Sequence, residues 1–504
     1  MFEMGTATTI PALLLWPLVV WIMFRKISQV RALIWSILAG YMFLPQLASI
    51  NLPMVPPLDK ESIPNLTAFA IITSQLGRMP RFLPDGTLGK VLIIVFLFSP
   101  VLTVLTNLDP ILFGRDSFGS FTVVDVNELQ RYGLPGLRIY DSLSALVQQV
   151  FLMLPFFLAR EVLRTEEAIR EVLVALVIAG AIYALPMLWE VRFSPQLHTR
   201  IYGYFQHNFL QAMREGGFRP FVFMPHGLWV AFFAFMCTMA AAALYRTAPK
   251  TEKGKRLLAV FFMLGLVVIC KSLGSLIFTL IFAPVVIFLK PSKHIAIATL
   301  LATVVLTYPL LRGSGLIPTH DLIQSIAAHE PERAQSLEFR FDNEDVVLDH
   351  AAHKPLFGWG GWGRSFIYNE RTGRSDTVVD GQWIITISQF GWVGFLAAFG
   401  LMAYPIFSIR KWAARVPRFE VPVVVSALVL IHGVNMSDML PNATLIPFTW
   451  LVVGALLGYA ESLRHMAEKT HVDEVRGMHG RIVLGGVVKD RRRTQKDRGP
   501  RTVL

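Results

Sequence analysis

Four arginines, Arg192, Arg200, Arg214 and Arg219, crowd the segment 191–222. The last of them leads straight into the apolar run FVFMPHGLWVAFF. A guanidinium is planar, permanently charged and matched to phosphate by paired hydrogen bonds. A single arginine at a helix end needs no more than interfacial snorkelling, but a set of four on one polar segment points to an anion. His226 stands at the same boundary. Lys271, in ICKSLGSL, sits between two apolar runs with almost no loop. It either anchors a tight hairpin or reaches into a cavity toward an anion, the default reading of an ionisable group inside apolar spans.

A second group lies further along the chain. Arg340 is flanked by Glu338 and Asp342 in EFRFD, which offers either a local ion pair or a ligand contact. His350 and His353 follow on a helix-like stretch. With no cysteine nearby and Asp349 as the only adjacent acid, they do not make a metal set. The stretch HKPLFGWGGWGRSF at 353–366 then brings Trp359, Trp362 and Arg364 together with closely spaced glycines. Glycine lets backbone approach a ligand closely, and indoles offer flat apolar faces with a donor edge. The stretch is therefore a sugar or diphosphate platform, or a structural turn with tryptophan in the interface belt. Asp380 closes the polar segment in VVDGQWIITISQF. It reads as a helix N-cap and equally as a general base at an apolar boundary.

The elements that must position these residues are membrane spans. Of 504 residues, 54% are hydrophobic and 16% charged, against about 25% charged in a soluble domain. Continuous apolar runs recur from end to end, and in lipid a continuous run must be a helix. Thirteen spans are expected, near 8–24, 32–47, 63–77, 91–107, 141–159, 172–190, 223–245, 257–270, 272–289, 294–311, 382–408, 421–436 and 443–460. The third is the weakest and reads as a crossing or a re-entrant segment. With the N-terminus outside, the short inside loops carry 20 Arg and Lys in 62 residues, whereas the outside segments carry 16 spread over far more chain. That bias follows the positive-inside rule, and holds only if 63–77 crosses. The tail from 461, with RRR at 491–493, falls inside, so much of the formal charge of +12 reads as orientation and attraction to anionic lipid rather than to nucleic acid. Cys237 and Cys270 lie within spans and read as small apolar packers. The fold class is an all-α, polytopic transmembrane helical bundle of 12–13 spans with an outward cap of short helices. Its expected parts are spans 1–10 with outward loops (1–311), the large loop (312–381), the last spans (382–460) and a basic tail (461–504).

Four stretches resemble the O-antigen ligase / O-antigen polymerase family, membrane glycosyltransferases of the C type. REGGFRPFVFMPHGLW at 214–229 resembles the family's Arg-Gly-Phe segment followed by Pro-Asn-x-Leu. KSLGSL at 271–276 is similar to its Ser-Arg-Gly hairpin. Arg340 through HKPLFGWGGWG is similar to its arginine followed by a glycine-rich stretch. DGQWIITISQFGWVG resembles its His-Asn-x-x-Leu segment and stays in register to Gly391. Three departures accompany the match. Asp380 occupies the place of the catalytic histidine, His226 replaces an asparagine, and Lys271 precedes Ser272 where the family has arginine after serine. With LDKESIP at 58–64, they favour a divergent exopolysaccharide polymerase-like branch.

The resemblance implies the following. The donor is a polyprenyl-diphosphate-linked oligosaccharide at the periplasmic face of the bacterial inner membrane. Arg219 and Arg340 hold the diphosphate, with Arg214 and Lys271. Asp380 is the base, with His353 or His226 as alternatives, and Trp359, Trp362 and Arg364 hold the acceptor or form the cavity rim. The reaction inverts the anomeric carbon and uses no metal or other cofactor. Partners would be membrane lipids, a flippase and a chain-length regulator, with no nucleic acid. Rival readings are a ligase acting on another acceptor, a transporter of lipid-linked glycan, and a non-catalytic assembly subunit.

Overall fold

The computed structural model describes residues 2–3, 7–52, 55–112, 133–214, 216–328, 331–369 and 375–487. The RRR of the tail and most of the first long outward segment lie outside them. The chain is 71% helical. The sixteen α-helices are α1 (Thr9–Lys26), α2 (Gln29–Phe43), α3 (Ser62–Leu76), α4 (Thr87–Leu105), α5 (Ile139–Val162), α6 (Glu166–Phe193), α7 (Leu197–Tyr202), α8 (Gly227–Arg246), α9 (Lys253–Ile269), α10 (Leu273–Phe288), α11 (Pro291–Gly313), α12 (Thr319–Ala327), α13 (Pro331–Ala352), α14 (Gln382–Ala413), α15 (Val423–Asp438) and α16 (Pro447–Val487). Among the described residues, strands are confined to three two-residue pairings, β1–β2 (Phe2–Glu3 with Ser49–Ile50), β3–β4 (Ile111–Leu112 with Gly133–Leu134) and β5–β6 (Met213–Arg214 with Gly217–Phe218).

Every expected span has its helix. Leaving aside α7, α12 and α13, thirteen apolar helices remain. Seven of them are long and apolar enough to cross a bilayer by length and composition alone, among them α1, α4, α8 and α14. The polar segment 312–381 supplies α12, a short helix of nine residues, and α13, a single helix of 22 residues where shorter ones were expected.

The ends of these helices sort into two faces. On one, Lys60 donates to the carbonyls of Tyr41 and Phe223, at 2.8 and 3.3 Å, and Tyr202 donates to Phe43 at 2.6 Å. On the other, Arg31 pairs with Glu171 at 2.8 Å, Arg160 with Glu461 at 2.8 Å, His465 lies 2.9 Å from Asp85, and Arg78 pairs with Glu161. Helix α3 runs from the first face, beside Lys60, to the second, beside Arg78. It connects the two faces with only 15 residues.

The core is centred on α8, whose residues Val230 to Leu244 are buried without a break. Small residues at Ala240–Ala243 let neighbours approach closely, as membrane helices without a hydrophobic driving force require. Outer helices turn large apolar side chains outward, including Leu88, Val91, Ile94 and Phe98 of α4 and Leu258 and Phe261 of α9. An apolar rim of that kind suits lipid and is unsuited to water.

Candidate functional site

Arg214 and Gly217 frame the tight β5–β6 hairpin, which Gly216 turns at φ +69°. The hairpin is tied to the α9–α10 connection, where Lys271 takes a left-handed φ of 48°. Lys271 Nζ donates to the Arg214 carbonyl at 2.8 Å. Arg219 follows the hairpin and is 1% exposed. Its backbone N–H donates to Ala212 O at 2.8 Å, and its Nε donates to Cys270 O at 3.2 Å. The guanidinium stem occupies the space where a side chain on residue 227 would sit, so Gly227 is required there. Arg214, Arg219 and Lys271 are thereby gathered at one corner of the first face.

His226 caps α8 at this corner. Its Nδ1 accepts from the Leu228 N–H at 3.1 Å, and its Nε2 donates to Gln211 Oε1 at 2.8 Å. Those partners assign the Nε2–H tautomer and occupy the lone pair. Burial lowers its pKa to about 3, and the charges of Arg219, His207, Arg214 and Arg340 push the same way. A committed, neutral imidazole is poorly placed to take a substrate proton. The charge of Arg340 is the smallest of the four felt at His226.

Arg340, on α13, passes over its sequence neighbours Glu338 and Asp342 to meet Asp380, with Nε 3.2 Å from Oδ2. Asp380 is not the N-cap of α14; Gly381 holds that place, which leaves the carboxylate free to face the arginine. Both side chains are partly exposed, at 36% and 44%. They line one cavity of about 210 Å³ with Tyr308, Asn343, Glu344 and Leu440.

Glu344 was not singled out in the sequence. It lies one helical turn beyond Arg340, and burial raises its pKa to about 7 against the pull of Arg312. Arg312 Nε is 3.6 Å from it, while Arg312 Nη2 holds Asp345 at 2.7 Å. The available signal was spacing: residues four apart share a helix face, so Glu344 had to accompany Arg340.

The glycine–tryptophan stretch does something the sequence did not show. Helix α14 breaks at Gly391, which adopts φ 65° and ψ −169°. The break frees backbone groups that an intact helix would use, and the stretch pairs with them. Trp359 and Gly360 N–H donate to Ser388 and Gln389 O, both at 2.9 Å, and Trp392 N–H donates to Pro355 O at 2.8 Å. The loop is thus a backbone plug in a discontinuous helix. Irregular backbone at membrane depth persists only where protein covers it or a cavity borders it.

The remaining expected site residues are placed apart. His350 stacks on Trp359, with ring centroids 4.3 Å apart, and the Lys354 ammonium stands 4.7 Å over the same indole. Trp359 Nε1 donates to His350 O at 2.9 Å, so this tryptophan fastens the end of α13. Arg364 is 2% exposed. Its nitrogens donate to the carbonyls of Trp359, Pro135 and Asp109 at 3.3, 2.6 and 2.8 Å, an internal clamp rather than an open cation. His353 is exposed, with Nδ1 3.0 Å from its own helix's Asp349 carbonyl. Trp362 is 57% exposed and faces a second cavity. The structure therefore brings Arg340 to Asp380, and Arg214, Lys271 and His226 to Arg219, and sets Trp359, Trp362, Arg364 and His353 outside both groups. Among the described residues, no group of His, Cys, Asp and Glu is arranged to hold a metal ion.

Residues 258–399 match the family model described as O-antigen ligase. The match takes in Lys271, Arg340, the plug, Asp380 and the α14 break; it leaves out Arg214, Arg219 and His226. No curated protein matches the chain.

Proposed function

We propose, for a chain that residues 258–399 place in the O-antigen ligase and polymerase family, that it joins oligosaccharide units carried on a polyprenyl diphosphate. The chain is a multi-pass membrane protein, and enzymes of this family transfer glycans at the membrane. The reading assigns the work to the first face, taken as periplasmic. The donor enters from the lipid. Arg340 meets its diphosphate, with Arg214, Arg219 and Lys271 adding positive potential from the adjoining corner. An acceptor sugar hydroxyl attacks the anomeric carbon, the bond from that carbon to the diphosphate breaks, and the polyprenyl diphosphate leaves with the electron pair. The hydroxyl proton passes to Asp380. Direct displacement inverts the anomeric carbon. Fixed cations aimed at the departing charge act in a partly dry site, where preorganised electrostatics is often the largest catalytic contribution. They do there what a divalent cation does elsewhere.

The observation that carries this reading is the Arg340–Asp380 pair on the wall of one cavity. The family description also favours a second reading, transfer of the glycan to a different acceptor as a ligase. Purified protein in liposomes, given a polyprenyl-diphosphate oligosaccharide, separates the possibilities. Chain growth supports the polymerase. Product only when a second acceptor is added supports the ligase. Movement of donor across the bilayer without new glycosidic bonds overturns both.

A further inference from the structure

A second cavity is larger than the one that holds Arg340 and Asp380. It measures about 470 Å³ and lies on the same face, where the plug meets the α14 break. That volume is in the range of about 300–1,000 Å³ typical of ligand sites. Its wall combines Glu61 and Asn65 at the start of α3, Gln148 and Gln149 of α5, Gln389 at the break and Trp362 of the plug.

The lining is specific in what it offers. Asn65 is 1% exposed, and its Oδ1 and the Oε1 of Gln149 are buried without a hydrogen-bond partner. A buried amide oxygen left unpaired is destabilising, and a ligand donor recovers the lost hydrogen bond. Asp59 is already committed, accepting from the N–H groups of Glu61 and Ser62 at 2.9 Å each. Glu61 is not: among the described residues, none hydrogen-bonds its carboxylate. It is exposed and at the same time enclosed by protein; what it is exposed to is the cavity. Burial raises its pKa to about 7, with Asp59 adding and Lys60 opposing. Lys60 is turned away, onto the carbonyls of Tyr41 and Phe223. Among the described residues, no lysine or arginine lines the space. Trp362 is held at φ 56° and lines the cavity.

We infer that this cavity is a second substrate site, which binds an uncharged sugar ring against Trp362 with its hydroxyls on Asn65, Gln149 and Glu61. Two carboxylates, with no cation among the described lining residues, disfavour phosphate, so the diphosphate is assigned to the other cavity and the sugar portion here. Unpaired amide oxygens want hydroxyl donors, which a polyprenyl chain lacks. An indole face covers the C–H face of a pyranose. A carboxyl group that titrates near neutrality both donates to and accepts from hydroxyls. The site rests on the proposed glycan chemistry only for the biological source of the sugar; binding itself is independent of it.

The test is saturation-transfer NMR on the full chain in lipid nanodiscs, with free neutral hexoses, N-acetylhexosamines and their disaccharides as probes. At least one probe should bind through its ring protons. Affinity should fall tenfold or more in Trp362→Ala and Gln149→Leu, be largely kept in Trp362→Phe, and stay at the wild-type level in Arg340→Ala. No binding by any probe, or equal binding by Trp362→Ala and Gln149→Leu, overturns the site. Binding that Trp362→Ala abolishes, together with full glycan transfer by Arg340→Ala, would keep this cavity and sink the proposed reaction.

Discussion

Arg340 and Asp380 each have one assigned task, so single substitutions read those tasks directly. Arg340→Ala should remove glycan transfer without lowering the amount of folded protein, because its partner Asp380 is 44% exposed and is not left buried. Asp380→Asn keeps size and hydrogen bonding but cannot take a proton. A fall in transfer rate of about 10²–10⁴-fold is expected, the usual worth of a general base, and initial rates on purified enzyme measure it. Glu344 makes a different prediction. Its folded pKa, about 7, lies above the ordinary carboxylate value, so the folded state binds the proton more tightly than the unfolded one. Stability is therefore fully present at low pH and declines as pH rises from about 4.5 through 7. The apparent Tm should fall over that window, and Glu344→Gln should flatten the fall. A Tm independent of pH in the wild type would contradict the assignment. Residue types alone singled out Arg340 and Asp380 as candidates, and the structure pairs them. They misled at Arg364, whose three carbonyl acceptors come from Asp109, Pro135 and Trp359. Spacing along the chain cannot show that a cation is already consumed.

The informative element is α14. Its apolar pattern runs unbroken through ISQFGWVGF, so the sequence reads as one span and the break at Gly391 is invisible in it. The demand for glycine is tertiary. A Cβ at Gly391 would collide with the Leu356 backbone, and one at Gly358 with the Gln389 and Phe390 backbone, both at positive φ. Gly361, two residues from Trp359, has open space around it. Gly391→Ala and Gly358→Ala should therefore expel the plug, lowering apparent Tm by several degrees and abolishing transfer, whereas Gly361→Ala should do neither. The positive-φ, extended backbone of Gly391 alone costs a non-glycine residue about 1–3 kcal/mol, before the collisions are counted. Thermal shift of the three variants decides it; a stable, active Gly391→Ala would mean that the break is incidental.

For the molecule as a whole, the alternation of apolar runs and the excess of Arg and Lys in short loops carried nearly all of the architecture. Lipid leaves a continuous apolar run one solution, and charge asymmetry orders the ends. The ion pairs of the second face and the Lys60 contacts of the first agree with that alternation. The two cavities were not legible, because each is assembled from helices far apart in sequence. Cys237 and Cys270 are buried, so introduced cysteines report sidedness cleanly. A membrane-impermeant maleimide should label Ser314→Cys from the periplasm and Thr247→Cys only after the inner membrane is opened. The opposite pattern would put the Arg340 cavity on the cytoplasmic side and end the proposed mechanism.

The most direct measurement is glycan transfer by purified protein in liposomes, with a polyprenyl-diphosphate oligosaccharide as donor, for the wild type, Arg340→Ala and Asp380→Asn side by side. New glycosidic bonds in the wild type, and at least about 100-fold less in each variant at equal folded protein, is the predicted result. Wild-type rates in both variants would show that the Arg340–Asp380 cavity is not where the reaction occurs.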